Sequence, residues 1–196
     1  MNVLRIGVLA IQGDFAAHAR ALARSGVEAV EVRRAAQLAG LDGLIIPGGE
    51  STTILKVMLE EGIIDPVSDF AREGKAVFGT CAGAIMLASE VCNPPQQSLG
   101  LIDIAVERNS YGRQIDSFIR HVDTSFEGGP VEAVFIRAPR ITRVGAGVET
   151  LATIEGEPVL VKQNNLMAAT FHPELTDDNR VHSLFIEMAS LEPAAV

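Results

Sequence analysis

The segment Val77-Phe78-Gly79-Thr80-Cys81-Ala82-Gly83-Ala84 carries the most chemical information in the chain. A short apolar run passes into Gly-x-Cys-x-Gly and then into further apolar residues, the pattern of a nucleophile elbow with cysteine as the nucleophile. The glycines flank a sharp strand-to-helix turn that leaves no room for neighbouring side chains. Cys81, at the start of the following helix, would meet the positive end of its dipole, which favours the thiolate. The Ala82 amide would be one of the unpaired donors of the first turn, free to hold an oxyanion. The alternative is a small buried cysteine in a tight turn. Cys92 has no comparable context and reads as core or loop.

A cysteine nucleophile requires a base, and the base requires a third group that fixes its tautomer. His172 follows a strand-like run and opens His172-Pro173-Glu174. Pro173 is expected to hold the chain extended, which places His172 and Glu174 on the same side, about 6–7 Å apart at Cα. A carboxylate could then reach Nδ1 while Nε2 faces the nucleophile. Taken alone, His-Pro-Glu at a strand end is only a turn, and the pairing with Cys81 gives it meaning. His18 and His182 fall in predicted helices among ordinary surface residues, and His121 lies in a polar-apolar strand beside Arg120. These three read as structural or solvent-facing. A second glycine cradle, Pro47-Gly48-Gly49-Glu50-Ser51-Thr52-Thr53, follows the strand-like Leu44-Ile45-Ile46. Such a position bares backbone amides where open α/β sheets bind ligands, so Gly49 is the candidate second oxyanion donor. A phosphate-binding loop would need the Gly-x-x-x-x-Gly-Lys-Ser/Thr pattern, which is absent. A turn with Ser51 or Thr52 capping a helix is compatible with either reading.

The elements that must position these groups follow from periodicity. Strands are expected at 5–11, 28–32, 43–46 and 76–78. Helices are expected around Phe15, Ala19, Leu22 and Ala23 and at 51–60, 65–73 and 82–90. This alternation predicts an α/β fold with a mostly parallel open sheet and helices on both faces. After the loop at 93–97, strands at 102–108, 115–122, 131–136, 148–154, 159–163 and 167–171 add antiparallel character. A final helix at 178–191 places Val181, Leu184, Phe185 and Met188 on one face. No repeat or linker interrupts the chain, so a single domain over 1–196 is expected.

Composition bounds the function. The 196 residues carry 16 Lys+Arg and 25 Asp+Glu, a formal net charge of −9, and 47% are hydrophobic. That composition supports a substantial core. The acidic balance argues against non-specific nucleic-acid or anionic-membrane binding, both of which need a positive field. No apolar run approaches the ~20 residues of a membrane span. The N-terminal residues do not read as a signal peptide, and two cysteines do not make a disulfide framework; a cytoplasmic location is the expectation.

The combination of Pro-Gly-Gly, Gly-x-Cys-x-Gly and a late His-Pro-Glu resembles the class I, triad-type glutamine amidotransferases, whose sheet is flavodoxin-like. A finer resemblance rests on 9–14 (Leu-Ala-Ile-Gln-Gly-Asp), 47–53, 78–83 (Phe-Gly-Thr-Cys-Ala-Gly), 107–114 (Glu-Arg-Asn-Ser-Tyr-Gly-Arg-Gln), 135–139 (Phe-Ile-Arg-Ala-Pro) and 171–176 (Phe-His-Pro-Glu-Leu-Thr). Together these are similar to the glutaminase subunits of pyridoxal 5′-phosphate synthases, and the middle segments are specific to that subfamily. The resemblance implies hydrolysis of L-glutamine to glutamate and ammonia through a thioester on Cys81, with His172 as base and acid and Glu174 as its orienter. It implies that Gly49, Glu50 and Ser51 line the glutamine site and that Gly49 and Ala82 form the oxyanion hole. Arg108 and the Ile136–Arg137 pair would contact substrate. A guanidinium suits the α-carboxylate of free glutamine, but the arginines read equally as surface ion pairs. Gln12-Gly13 would border the active site or a partner interface. The implied partner is a (β/α)₈-barrel synthase subunit that receives the ammonia for vitamin B6 synthesis in a hetero-oligomer, and no metal or cofactor is expected on this chain. Two other readings remain open: a cysteine hydrolase or protease acting alone on another amide, and a non-catalytic docking subunit. The second would be expected to have lost Cys81, His172 or Glu174.

Overall fold

A computed structural model describes residues 4–108 and 117–191. The first two residues of the predicted strand 115–122, most of the 107–114 motif with Arg113, and the last residues lie outside the described parts. Strand β1 (Arg5–Leu9) leads into α1 (Phe15–Arg24), whose N-terminus is capped by the Asp14 carboxylate accepting the Ala17 amide at 2.8 Å. Strands β2 (Glu28–Val32) and β3 (Gly43–Ile46) follow, then α2 (Ser51–Glu60), α3 (Ile64–Arg72), β4 (Ala76–Thr80) and α4 (Ala82–Leu87). The remainder comprises β5 (Ala88–Cys92), β6 (Ile102–Glu107), β7 (Ser117–Thr124), β8 (Val131–Ile136), β9 (Arg140–Val144), β10 (Glu149–Ile154), β11 (Glu157–Gln163), β12 (Leu166–Ala169) and α5 (Arg180–Ser190).

The large sheet has the order β2-β1-β3-β4-β12-β11-β10-β7-β8. Its first five strands are mutually parallel, and the remaining pairs are antiparallel. The order reverses between β1 and β3, which makes the carboxyl ends of these strands the crevice where doubly wound sheets bind ligands. Strand alternation builds a core on each face. Leu44, Ile46, Val77 and Ala168 pack against α2, α3 and α4, whereas Ile45, Phe78, Met167 and Ala169 pack against α1 and α5. Both faces being covered explains the unbroken apolar runs in β3 and β4. A small sheet, β5-β6-β9, joins the first core through Val91, Ile104 and Ile141. Among the described residues no helix is long and apolar enough to cross a membrane.

Three expectations are corrected. The helix predicted at 82–90 ends at Leu87, and 88–92 form β5. The Met86 and Leu87 carbonyls, which residues 90 and 91 would take in a longer helix, instead accept the Leu99 and Leu101 amides at 2.7 and 2.9 Å. Strand β9 was not expected, because Ile141 is its only buried residue and Pro139 precedes it. The buried stripe of α1 is Ala17, His18, Ala21 and Leu22, rotated from the expected one, and Ala23 is exposed. The face expected for α5 does pack on the sheet: Val181 and Phe185 are buried together with His182 and Ala189, and Leu184 and Met188 pack half-buried against the same core. Both histidines read as surface or structural are thus fully enclosed.

Candidate active site

The elbow is built by backbone contact. A Cβ at Gly83 would stand 1.9 Å from the Ile46 carbonyl oxygen, and one at Gly79 would stand 2.4 Å from the Gly83 carbonyl. Only glycine lets α4 start this close to β3 and β4. Cys81, between them, takes φ +50° and ψ −104°, a strained conformation for a residue with a side chain. It is pinned by its amide donating to the Ala169 carbonyl at 2.8 Å and by its carbonyl accepting from Ala84 at 3.1 Å.

His172 leaves the end of β12 and is tied to β8 by its amide donating to the Val134 carbonyl at 2.8 Å. The chain does not continue extended through Pro173, as the sequence suggests. Pro173–Leu175 form a 3-10 turn closed by the Leu175 amide on the His172 carbonyl, and proline suits its first position because its φ is already helical. The turn still brings His172 Nδ1 within 2.7 Å of Glu174 Oε1. Cys81 lines the same cleft as the ring. Burial opposes the charged ring, but interactions with Cys81 and Glu174 outweigh it and raise the His172 pKa to about 10. The imidazolium is therefore the resting form beside the sulfur. Burial likewise works against ionised Glu174, yet its contacts with His18 and His172 hold its carboxyl below the ordinary carboxylate value.

The glycine cradle sits against this pair. A Cβ at Gly48 would come 2.4 Å from His172 Cε1 and 3.2 Å from Cys81 Cβ. The Gly48 amide donates to Thr80 Oγ1 at 3.1 Å, and the Glu50 amide donates to Gln12 Oε1 at 3.1 Å, so Gln12 does border the site. The cap of α2 is Glu50 rather than Ser51 or Thr52: its carboxylate accepts the Thr53 amide at 2.8 Å and the Thr52 hydroxyl. The bond from the Thr52 hydroxyl is the main reason its pKa is lowered. Ser51 is buried, with its hydroxyl donating to Gln96 Oε1 at 2.8 Å.

A cleft of about 260 Å³ opens over Cys81. It is lined by Gly49, Glu50, Ser51, Ala82, Ile85, Arg108, Ile136, Arg137, Pro139 and His172, so every residue the sequence nominates for substrate contact meets here. That volume suits a small metabolite better than a drug-sized ligand, which takes ~300–1,000 Å³. Arg108 is not a surface arginine. Its side chain is 12% exposed, and Nη2 lies 3.4 Å from Glu50 Oε1. The Ile136 carbonyl lies 3.9 Å from Cys81 Sγ, and the chain turns sharply at Arg137, φ +42°.

Sequence reasoning missed Thr80, Gln96, His18 and His182. The available signal for the histidines was their place in helices that must cover a sheet buried on both faces. His121 is exposed on β7, as expected, and Cys92 is half-buried with its thiol 3.6 Å from the Val106 carbonyl oxygen.

The model of the SNO glutamine amidotransferase family matches residues 8–191. A pyridoxal 5′-phosphate synthase subunit PdxT from Solibacter usitatus (strain Ellin6076) is 56% identical over 188 residues, covering 93% of this chain and 97% of that protein. A solved structure described as a glutamine amidotransferase superposes with a TM-score of 0.90 at 51% identity, covering 95% of this chain and 99% of that one. A glutamine amidotransferase from Thermotoga maritima, 11% identical with a TM-score of 0.65, covers 98% of this chain and 88% of its own, and shares the fold. A match over nearly the whole length, to a family whose fold is the one described above, places the chain: it belongs to the SNO glutamine amidotransferase family.

Proposed function

We propose that the chain, acting as one glutaminase domain over 1–196, hydrolyses L-glutamine to glutamate and ammonia with Cys81, His172 and Glu174 as its catalytic residues. The observation that carries this reading is a buried Glu174–His172 bond of 2.7 Å behind an imidazole that shares with Cys81 a cleft for a small molecule. The Cys81 thiolate attacks the side-chain amide carbon, and the oxyanion is held by the Gly49 and Ala82 amides. Loss of one such donor typically costs ~10²–10³ in rate. Collapse breaks the C–N bond, and the His172 proton leaves with ammonia. Water then attacks the thioester with neutral His172 as base, releasing glutamate and restoring the thiolate–imidazolium pair. Arg108 and Glu50 offer opposite charges to the zwitterionic end of a free amino acid, with Ser51, Ile136 and Arg137 completing the wall. Relatives named pyridoxal 5′-phosphate synthase subunit PdxT support delivery of the ammonia to a synthase partner subunit. That the partner is a (β/α)₈ barrel, joined to this chain in a cytoplasmic hetero-oligomer, is what the sequence resemblance implies.

The test is reconstitution with that subunit and amide-¹⁵N-glutamine. Wild type is expected to release glutamate and to pass ¹⁵N into pyridoxal phosphate, and Cys81→Ala is expected to do neither. Continued ¹⁵N transfer by Cys81→Ala would refute the proposal. Partner-independent turnover of other amides, with indifference to glutamine, would favour a free-standing cysteine hydrolase.

A further inference from the structure

Glu174 is secured to the reacting pair through one oxygen. Oε1 receives the His172 Nδ1 proton, whereas Oε2 is fully buried and has no hydrogen-bond partner at normal distance among the described residues. The group facing it is His18 Nε2, 3.5 Å away on the buried side of α1. His18 Nε2 is also 3.3 Å from Thr80 Oγ1, and its Nδ1 is 3.1 Å from His182 Nε2 on α5. Strand alternation explains the convergence. Thr80 shares the face of Phe78, toward α1 and α5, while the next residue, Cys81, opens onto the cleft.

Proton bookkeeping selects one arrangement of this cluster. Burial keeps His18 and His182 neutral, with Glu174 opposing the effect on both. Each ring therefore has one donor and one acceptor. If His182 holds its proton on Nε2, it donates to His18 Nδ1, and His18 presents Nε2–H to Thr80 Oγ1 and Glu174 Oε2. Left over are the bare lone pair of His182 Nδ1, which is the ring atom found without a partner, and the Thr80 hydroxyl hydrogen. In the opposite arrangement the Thr80 hydroxyl donates to His18 Nε2, but His182 Nδ1–H is a buried donor with no acceptor, and a His18 lone pair faces the Glu174 carboxylate. Each arrangement strands one donor, so the carboxylate decides: only the first gives its buried second oxygen a donor, and a buried charge left without one costs more than a neutral group. The selected tautomer also reaches the glycine cradle, because Thr80 Oγ1 accepts the Gly48 amide.

We propose that His18 is a positioning residue of this site: its Nε2–H, set in that tautomer by His182, holds the second oxygen of Glu174 and, through Thr80, the Gly48 amide. One buried ring then fixes both the orientation of the His172 imidazole and the loop that carries Gly49. The inference rests on the triad reading above and extends it behind the sheet.

His18→Gln and His18→Asn, compared in the full chain with its synthase subunit, provide the test. The glutamine amide nitrogen reaches about as far as Nε2, and that of asparagine only about as far as Nδ1. His18→Gln is expected to keep kcat for glutamine hydrolysis within about fivefold of wild type, and His18→Asn to lose about 30-fold or more, with KM within about twofold in both. Alkylation of Cys81 by iodoacetamide should require higher pH in His18→Asn. The titratable groups around the ring, Asp14, His172, Glu174 and His182, are unchanged in both variants. A ring that merely fills space predicts equal kcat in the two variants, or losses that follow their melting temperatures, and either result overturns the proposal. If His18→Asn does not fold, His182→Gln, which keeps a donor to His18, is compared with His182→Leu, which does not; equal kcat in that pair overturns it equally. Cys81→Ala separates the two ideas: if it stays active the triad reading itself fails, and if it is inactive the His18 comparison decides this inference alone.

Discussion

At the scale of single residues, the site depends on charge placed where water does not reach. Glu174 is almost wholly buried, yet its carboxyl is held below the ordinary carboxylate value against that burial by His18 and by the 2.7 Å bond to the His172 ring. Replacing it with glutamine preserves shape and removes the charge that keeps the imidazolium beside the sulfur. Glu174→Gln is therefore expected to lower kcat for glutamine hydrolysis by about 10²–10⁴, with KM nearly unchanged and the fold intact by circular dichroism. A variant within threefold of wild type would show that the orienting charge is dispensable. The catalytic candidates were legible at this scale because each is marked by its neighbours: Gly79 and Gly83 around Cys81, Pro173 beside His172, Gly48 before Gly49. Thr80, His18 and His182 were not legible. A buried histidine and a surface histidine look alike in a helix until the partner helix is known, and the His18–His182 pair is 164 residues apart in sequence.

Among the secondary-structure elements, closeness of backbones does the positioning. The contact of Gly83 with the Ile46 carbonyl clamps the start of α4 to the end of β3. Gly83→Ala forces a Cβ into that carbonyl and is expected to destabilise by ~1–3 kcal/mol or more. Calorimetry should then show a melting temperature lower by several degrees, with a loss of kcat in the fraction that stays folded. An unchanged melting temperature would mean the two elements separate without penalty. The parallel half of the sheet was readable, since β1, β3 and β4 are apolar runs ending in glycine motifs. The end of α4 was not: Ala88 and Glu90 are good helix formers, yet Leu99 and Leu101, farther along the chain, take the carbonyls a longer helix would need. Propensity yields there to a tertiary contact.

For the molecule as a whole, the net charge of −9 selects no partner, and the buried histidines govern how stability responds to pH. His18 and His182 are held neutral when folded and would take up protons once unfolded. Stability should therefore fall as pH drops below about 6.5, by up to ~1.4 kcal/mol per pH unit for each ring. Glu174 joins this loss only in the carboxylate range near pH 4.5. Denaturant unfolding is expected to show stability falling as pH drops from 6.5 to about 5, and a flat profile over that range would contradict this assignment. The left-handed backbone of Cys81 has a different consequence, for how such a chain can drift. Its conformation costs ~1–3 kcal/mol that glycine at the same place would largely recover. Natural loss of the nucleophile to glycine would therefore leave a sturdier protein with an unaltered surface. Cys81→Gly is expected to melt at a higher temperature than Cys81→Ala, and a lower or equal value would show that the strain at this turn is small.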